Sequence, residues 1–253
     1  MIELKDVHKS FYGKEVLRGI SATFQEGKTN LIIGQSGSGK TVLMRNIVGL
    51  LDPSDGEILY DGINFTKLKK EDKMKLRQKM GMIFQSAALF DSLSILDNVM
   101  FPLDMFSGWT FKERKKRAQF CLSRVNLEGT DNKFPGEISG GMQKRVAIAR
   151  AIAMNPKYLF CDEPNSGLDP KTSLVIDALI HDITEEYQMT TIINTHDMNS
   201  VLGIGDHIIF LREGIKEWEG TKYDVVQSGN EHLDHFVFAS DMLRQVKDHI
   251  IIK

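Results

Sequence analysis

Along residues 2–33 the apolar positions come in short runs broken by turn residues. This pattern predicts strands over 2–4, 16–24 and 29–33, with turns at Gly13 and at Glu26-Gly27. Two further apolar runs, 58–60 and 63–65, flank Asp61-Gly62, a dipeptide that suits a two-residue hairpin. Another run covers 80–84. From Ser86 to about Asn155 the pattern turns helical. It is clearest over 112–125, where a charged, long-chained stretch carries Phe111, Ala118, Leu122 and Val125 near helical spacing. Beyond Pro156, residues 158–161 form a short continuous apolar run, as expected of a strand buried on both faces of a parallel sheet. A helix over 173–186 and strands over 190–195 and 208–212 follow, and then a helix-rich tail of mixed polarity over 221–253. Strands alternating with helices predict the α/β class.

The chain has 253 residues, enough for one large domain or one domain with an insert. Hydrophobic residues make up 42% and charged residues 26%, which excludes a disordered or collagen-like chain. A net charge of −2 gives no global basic field, so nucleic acid is not an expected partner. Cys121 and Cys161 sit in no CxxC pair and build no disulfide framework, which predicts a reduced, cytosolic setting. The opening MIELKDVHKSF has no apolar signal-peptide core, and no apolar run approaches the length of a membrane span. The chain is therefore not expected to form a transmembrane pore itself, although it could be the soluble subunit of a transporter.

Chemistry enters at Gly34-Gln35-Ser36-Gly37-Ser38-Gly39-Lys40-Thr41, which satisfies G-x-x-x-x-G-K-[ST] at every required position. The apolar run before it and the helical pattern after it supply the strand and helix that such a loop needs. Glycines let backbone N–H groups converge on a phosphate without Cβ clashes, and the helix points its positive end at the same anion. Lys40 can then reach the β- and γ-phosphates, and the Thr41 hydroxyl can ligate Mg²⁺.

Asp162-Glu163 directly follows the run 158–161. Carboxylates at the end of a buried parallel strand lie where α/β sheets place ligands. Asp162 is assigned to the metal and Glu163 to the general base that activates water. The strand 190–195 ends in Thr195-His196-Asp197, another polar group in a comparable position.

Residues 138–151, Ile-Ser-Gly-Gly-Met-Gln-Lys-Arg-Val-Ala-Ile-Ala-Arg-Ala, resemble the LSGGQ signature of ABC-transporter ATPases. The phosphate loop, Gln85, this signature, Asp162-Glu163, Ser166-Gly167-Leu168-Asp169 and His196 occur in that family's order. The resemblance implies a P-loop NTPase core with an N-terminal antiparallel β-subdomain and an inserted helical subdomain. The ATPase domain would span 1–220, with the core at about 1–85 and 156–220, the helical subdomain at about 86–155 and a separate tail over 221–253. It further implies that Phe11, or its neighbour Tyr12, stacks on adenine. Gln85 would sense Mg²⁺ and the attacking water. Ser139, Gly140 and Gly141 would contact the γ-phosphate held by a second copy of the chain, Asp169 would align the two copies, and His196 would contact the γ-phosphate. ATP and Mg²⁺ are the implied cofactors. Ile138 stands where Leu is usual and Met142 where Gln is usual; the second change removes a polar side chain.

The stretch 85–95, with Asn98-Val99 and Phe101-Pro102-Leu103, together with the Gly-Gly-Met variant of the signature, resembles ATPases of Mla/Mce-type lipid transporters of bacterial envelopes. That resemblance implies a motor for phospholipid transport between bacterial membranes. Such a motor lies peripherally on the cytoplasmic face of the inner membrane, with integral permease subunits and a lipid-binding envelope protein as partners. Leu89, Phe90 and Leu93 would then form part of a socket for the permease. The alternative is an ABC-type ATPase that regulates another membrane complex, in cell division or lipoprotein release. The basic runs 67–70 and 112–117 read either as solvated helix faces or as surfaces toward anionic lipid or a membrane subunit. His232 and His235 have no third ligand nearby for a metal.

Overall fold

A computed structural model describes residues 1–239; the rest of the predicted tail, 240–253, lies outside the described residues. In chain order the first elements are β1 (Ile2–Phe11), β2 (Lys14–Phe24), β3 (Thr29–Ile33), α1 (Lys40–Ile47), β4 (Asp55–Tyr60), β5 (Ile63–Asn64), α2 (Lys70–Arg77), β6 (Met80–Ile83) and α3 (Ile95–Phe106). They are followed by α4 (Phe111–Arg124), α5 (Gly140–Ile152), β7 (Tyr158–Asp162), α6 (Pro170–Tyr187), β8 (Thr190–Thr195), α7 (Met198–Ile204), β9 (His207–Arg212), β10 (Ile215–Gly220) and α8 (Glu231–Val237). The described residues divide into two compact units, 1–68 with 192–239, and 69–191.

The first unit contains an antiparallel sheet in the order β2-β1-β4-β5. Ile2 pairs with Phe24 on one side and Tyr60 on the other, and Leu4 with Ala22 and Ile58, so the buried residues of the three strands stack on one face. The Asp61-Gly62 turn has positive φ at both residues, 47° and 80°, as a type I′ hairpin requires. The predicted second arm, 63–65, is shorter than expected. Asn64 Oδ1 accepts from the Thr66 N–H (3.0 Å) and hydroxyl (2.6 Å), which bends the chain into a 3₁₀ turn. Phe65 is thereby buried edge-on against Tyr60, with ring centroids 5.4 Å apart.

The same unit carries strands in the order β10-β9-β3-β8. Strand β3 runs parallel to β9, with Asn30 opposite His207 and Ile33 opposite Phe210, and all five of its residues are buried. Helix α8 buries Leu233 and Val237, and Phe236 lies 5.5 Å from Phe210.

In the second unit β6 and β7 pair in parallel, Met80 with Tyr158 and Ile83 with Cys161. The region predicted as broadly helical is three helices separated by ordered loops. Asn98, fully buried on α3, organises the loop before it: its Nδ2 donates to the carbonyls of Phe90, Leu93 and Ser94, and its Oδ1 accepts from the Phe90 N–H at 2.8 Å. Arg117 of α4 donates to the carbonyls of Ile152 and Ala153, placing a cation at the C-terminal end of α5. Helix α6 begins earlier than the predicted 173. Asp169 caps it by accepting from Thr172 N–H at 3.0 Å, and Pro170 occupies the first turn, where its missing N–H costs nothing.

Both cysteines are buried and unbonded, and burial pushes the Cys121 thiol up to about 11. Among the described residues no helix is long and apolar enough to cross a membrane.

Gly81 of β6 tests how tightly α5 lies on the strand. A Cβ there would come within 2.5 Å of the Ala151 carbonyl oxygen, whereas one at Gly108 would meet nothing within 4 Å. Gly81→Ala is expected to cost about 1–3 kcal/mol and lower the unfolding midpoint in a thermal melt, with Gly108→Ala close to the parent.

Candidate functional site

The phosphate loop grows out of strand β3 and feeds helix α1, as its flanking pattern predicts. Its glycines are sterically required. At Gly34 a Cβ would lie 2.2 Å from the Leu211 carbonyl oxygen and 2.7 Å from Ser38 Oγ, and Gly37 and Gly39 hold φ of 82° and 106°. Three features of the loop call for an anion. Helix α1 starts with no side-chain cap and no acidic residue in its first turn, so its N-cap residue offers the leading N–H groups no side-chain acceptor. Lys40 is only 6% exposed, and its ammonium is folded onto the loop, donating to the carbonyls of Gly34 (2.7 Å) and Gln35 (3.0 Å). Ser38 Oγ is buried and meets no hydrogen-bond partner among the described residues. A triphosphate fits this donor set; an apolar or cationic ligand does not.

In the same unit, Phe11 ends β1 with Lys9 Nζ 5.2 Å above its ring. Its neighbour Tyr12 is fully exposed at a turn, with φ of 49°. His196 directly follows β8, the strand beside β3, and is exposed.

The second unit brings the remaining candidates together around α5. Ser139 caps this helix, its Oγ accepting from the Met142 N–H at 3.3 Å. Gly141 faces Thr172, where a Cβ would lie 2.7 Å from Cγ2. Ser139, Gly140, Gly141, Arg145, Asp169 and Thr172 all line one cavity of about 600 Å³. Asp169 is held ionised by the hydroxyl and N–H of Thr172, which lower its pKa. Gln85, just past β6, donates from Nε2 to Ser166 Oγ at 3.0 Å.

Asp162 closes strand β7, and Glu163 follows in the left-handed region with φ of 49°, a backbone state that a non-glycine residue seldom adopts. The Ser166 N–H donates to the Glu163 carbonyl at 3.1 Å, making the turn that carries the acid. Behind it, Asn165 Nδ2 donates to Asp177 Oδ1 at 2.7 Å, and Asp177 is buried on α6.

Two basic residues of α5 escaped the sequence reading. The ammonium of Lys144, buried, donates to the Gln85 carbonyl, and burial lowers its pKa, with the Glu163 charge opposing the shift. Arg150 donates to the carbonyls of Ala87 and Ala88, both at 2.8 Å, and burial lowers its pKa as well. Ala87 and Ala88 both have positive φ, 62° and 48°, so the guanidinium clamps a strained pair of residues just beyond Gln85. One helix therefore carries the serine-glycine tip at its start and fixes the Gln85 loop along its length. Cations inside an otherwise Ala- and Ile-rich helical run were the available signal.

Comparison with known proteins places this geometry. The model of a family described as ABC transporter matches residues 17–166. The chain belongs to the ABC transporter family. This ABC ATPase is 40% identical over 228 residues to the methionine import ATP-binding protein MetN of Carboxydothermus hydrogenoformans, a match covering 89% of this chain and 67% of that one. It is 36% identical over 207 residues to the probable ribonucleotide transport ATP-binding protein mkl of Mycobacterium leprae, covering 82% of this chain and 60% of that one. The chain thus spans about two thirds of the length of these curated relatives. Among solved structures, the dimer of MJ0796, a bacterial ABC transporter cassette, superposes with a TM-score of 0.80 at 37% identity, covering 88% of this chain and 99% of that one. The dimeric post-hydrolysis state of the same cassette, bound to ADP and Pi, gives 0.79 at 36% identity, with the same coverage. The expected P-loop α/β fold is therefore the observed one. The chain is an ATPase whose hydrolysis drives transport. ABC ATPases bind ATP, generally with Mg²⁺, and work as dimers with membrane permease subunits.

Because Arg150 holds the Ala87-Ala88 pair, Arg150→Gln should release it. Amide hydrogen exchange over 86–90, read by mass spectrometry, is expected to rise at least tenfold, the scale of losing a charge-assisted hydrogen bond, with 29–33 unchanged.

Proposed function

We propose that this chain is the motor of a transporter that moves phospholipid between bacterial membranes, working as a homodimer on the cytoplasmic face of the inner membrane. The single observation that carries the motor reading is the uncapped start of α1 beside a buried ammonium and an orphaned Ser38 hydroxyl. In this reading the backbone of Gly34, Gln35, Ser36, Gly37, Ser38 and Gly39, with Lys40, holds the phosphates. Thr41, Gln85 and Asp162 hold Mg²⁺, and Phe11 stacks on the adenine. Glu163 takes the proton from the attacking water, and His196 steadies the γ-phosphate. Ser139, Gly140 and Gly141 reach the γ-phosphate bound by the other copy, and Asp169 aligns the two copies. Only a triphosphate bridges the two anion sites, so hydrolysis separates the pair.

The permease is proposed to seat in a groove of about 440 Å³ lined by Phe84, Ala88, Phe90, Phe101, Pro102 and Met154. Of the three residues assigned to a socket, Phe90 lines this groove, while Leu89 and Leu93 are half-buried and do not line it. Arg150 also lines this groove, so the clamp on the Gln85 loop lies in the wall that a permease segment would press.

The cargo assignment rests on the resemblance of 85–103 and of the Gly-Gly-Met signature to envelope lipid transporters, and a lipid-binding envelope protein would complete the complex. The likeness to a methionine import ATPase favours a second reading, with a small solute as cargo. Purification of the complex from detergent-solubilised membranes, with mass spectrometry of bound molecules, decides between them. Co-purified phospholipid with a permease supports the first; a complex free of lipid that binds methionine overturns it.

Two variants test the motor. Glu163→Gln is expected to bind ATP, accumulate as a dimer in size-exclusion chromatography and hydrolyse about 10²–10⁴-fold more slowly; full-speed turnover removes Glu163 from the role of base. Ser139→Glu places a carboxylate against the partner's triphosphate and is expected to abolish both the ATP-dependent dimer and turnover.

A further inference from the structure

The turn between α3 and α4 presents an apolar surface to solvent. Met105, Phe106, Trp109 and Phe111 are 60%, 51%, 43% and 61% exposed within seven residues of chain. Single exposed apolar residues are ordinary, but four large ones within one short turn mark a surface made to be covered. The first two turns of α4 then carry Lys112, Lys115 and Lys116, all exposed, and none makes an ion pair among the described residues. The acids nearby are already committed. Asp104 is paired with Arg114 at 2.9 Å, and Glu113 closes a capping box with the N–H and hydroxyl of Thr110, both at 2.7 Å. Over 104–117 five basic side chains stand against two acidic ones.

The placement of the lysines is unfavourable for the isolated helix. Cations near a helix N-terminus oppose the macrodipole, and helices favour acids there. Three unpaired lysines beside a rim of Trp and Phe match the chemistry of one partner. An anionic bilayer surface offers phosphates to the ammonium groups and an interfacial layer in which indole and phenyl rings settle. A protein partner would instead call for specific acceptors facing each lysine.

We propose that the α3–α4 turn is a membrane-contact tip, inserting Trp109 and Phe111 at the interface of anionic lipid while Lys112, Lys115 and Lys116 lie against the headgroups. The inference rests on the transporter reading only for the presence of a bilayer beside the chain. It is independent of the cargo.

The test uses the full chain with Trp218→Phe, which leaves Trp109 as the only tryptophan. Vesicles of phosphatidylcholine, with or without an equal share of phosphatidylglycerol, are added. The Trp109 emission is expected to shift to the blue, and the protein to float, with the anionic vesicles and much less with the neutral ones. Replacing the three lysines by Gln should weaken partition about 100-fold, about fivefold for each charge removed. Trp109→Ser with Phe111→Ser should lose floatation, and the ATPase rate of both variants in solution should match that of the parent, showing intact folding. Unchanged emission on anionic vesicles, or partition insensitive to the lysines, overturns the tip. Binding to the purified permease in detergent that these variants abolish, without any effect of vesicles, assigns the surface to protein and overturns it as well. A chain that floats but does not hydrolyse ATP would fail the motor reading and leave this inference standing.

Discussion

A buried ammonium sets the terms for the nucleotide end of this protein. Lys40 lies at the start of α1 with little access to water, and the charge is tolerated because the carbonyls of Gly34 and Gln35 turn inward to accept from it. The loop also carries glycine at position 34, where a side chain would strike Leu211 or Ser38. The strand must then be rigid enough to deliver the loop, which explains why every residue of β3 is buried. Remove the requirement for an anion and the glycines, the missing helix cap and the orphaned serine hydroxyl lose a common reason.

The second unit answers a different demand, that of holding irregular backbone in a defined shape. Gln85, Ala87 and Ala88 belong to a loop with two consecutive left-handed residues, a conformation that L-residues leave unless something holds them. Helix α5 supplies the hold through Lys144 and Arg150. Desolvation lowers the pKa of both groups, yet both bind carbonyl oxygens, and a buried cation bonded to carbonyls orders a loop without needing an acid beside it. The helix that presents Ser139, Gly140 and Gly141 is thus also the brace for the loop after β6, so a displacement at one end of α5 has a direct covalent route to the other.

Much of the site was legible in the linear chain because its chemistry depends on local spacing. The phosphate loop needs consecutive glycines and a lysine between a strand and a helix, and the acid pair needs only to end a buried strand; both requirements are met within a dozen residues. The hairpin at Asp61-Gly62 was legible for the same reason, since two positive φ values suffice to make it. Less was visible where a side chain answers to a distant partner. Asp169 could be read only as a matched motif position, and its capping of α6 emerges from the geometry of Thr172. Asn98 reads as one polar residue in an apolar helix, although it binds three carbonyls of the preceding loop.

The division follows the range of the forces involved. Turn preferences, helix starts and the steric room around glycine act over a few residues, so the order of amino acids alone determined the α/β class, the phosphate loop and the acid-bearing strand. Burial of Lys144 and Arg150, the strain stored at Ala87-Ala88 and the cavity shared by Ser139 and Asp169 depend on elements far apart in the chain meeting at atomic distances. Hydrogen bonding and desolvation change steeply over such distances, and only the folded arrangement decides them.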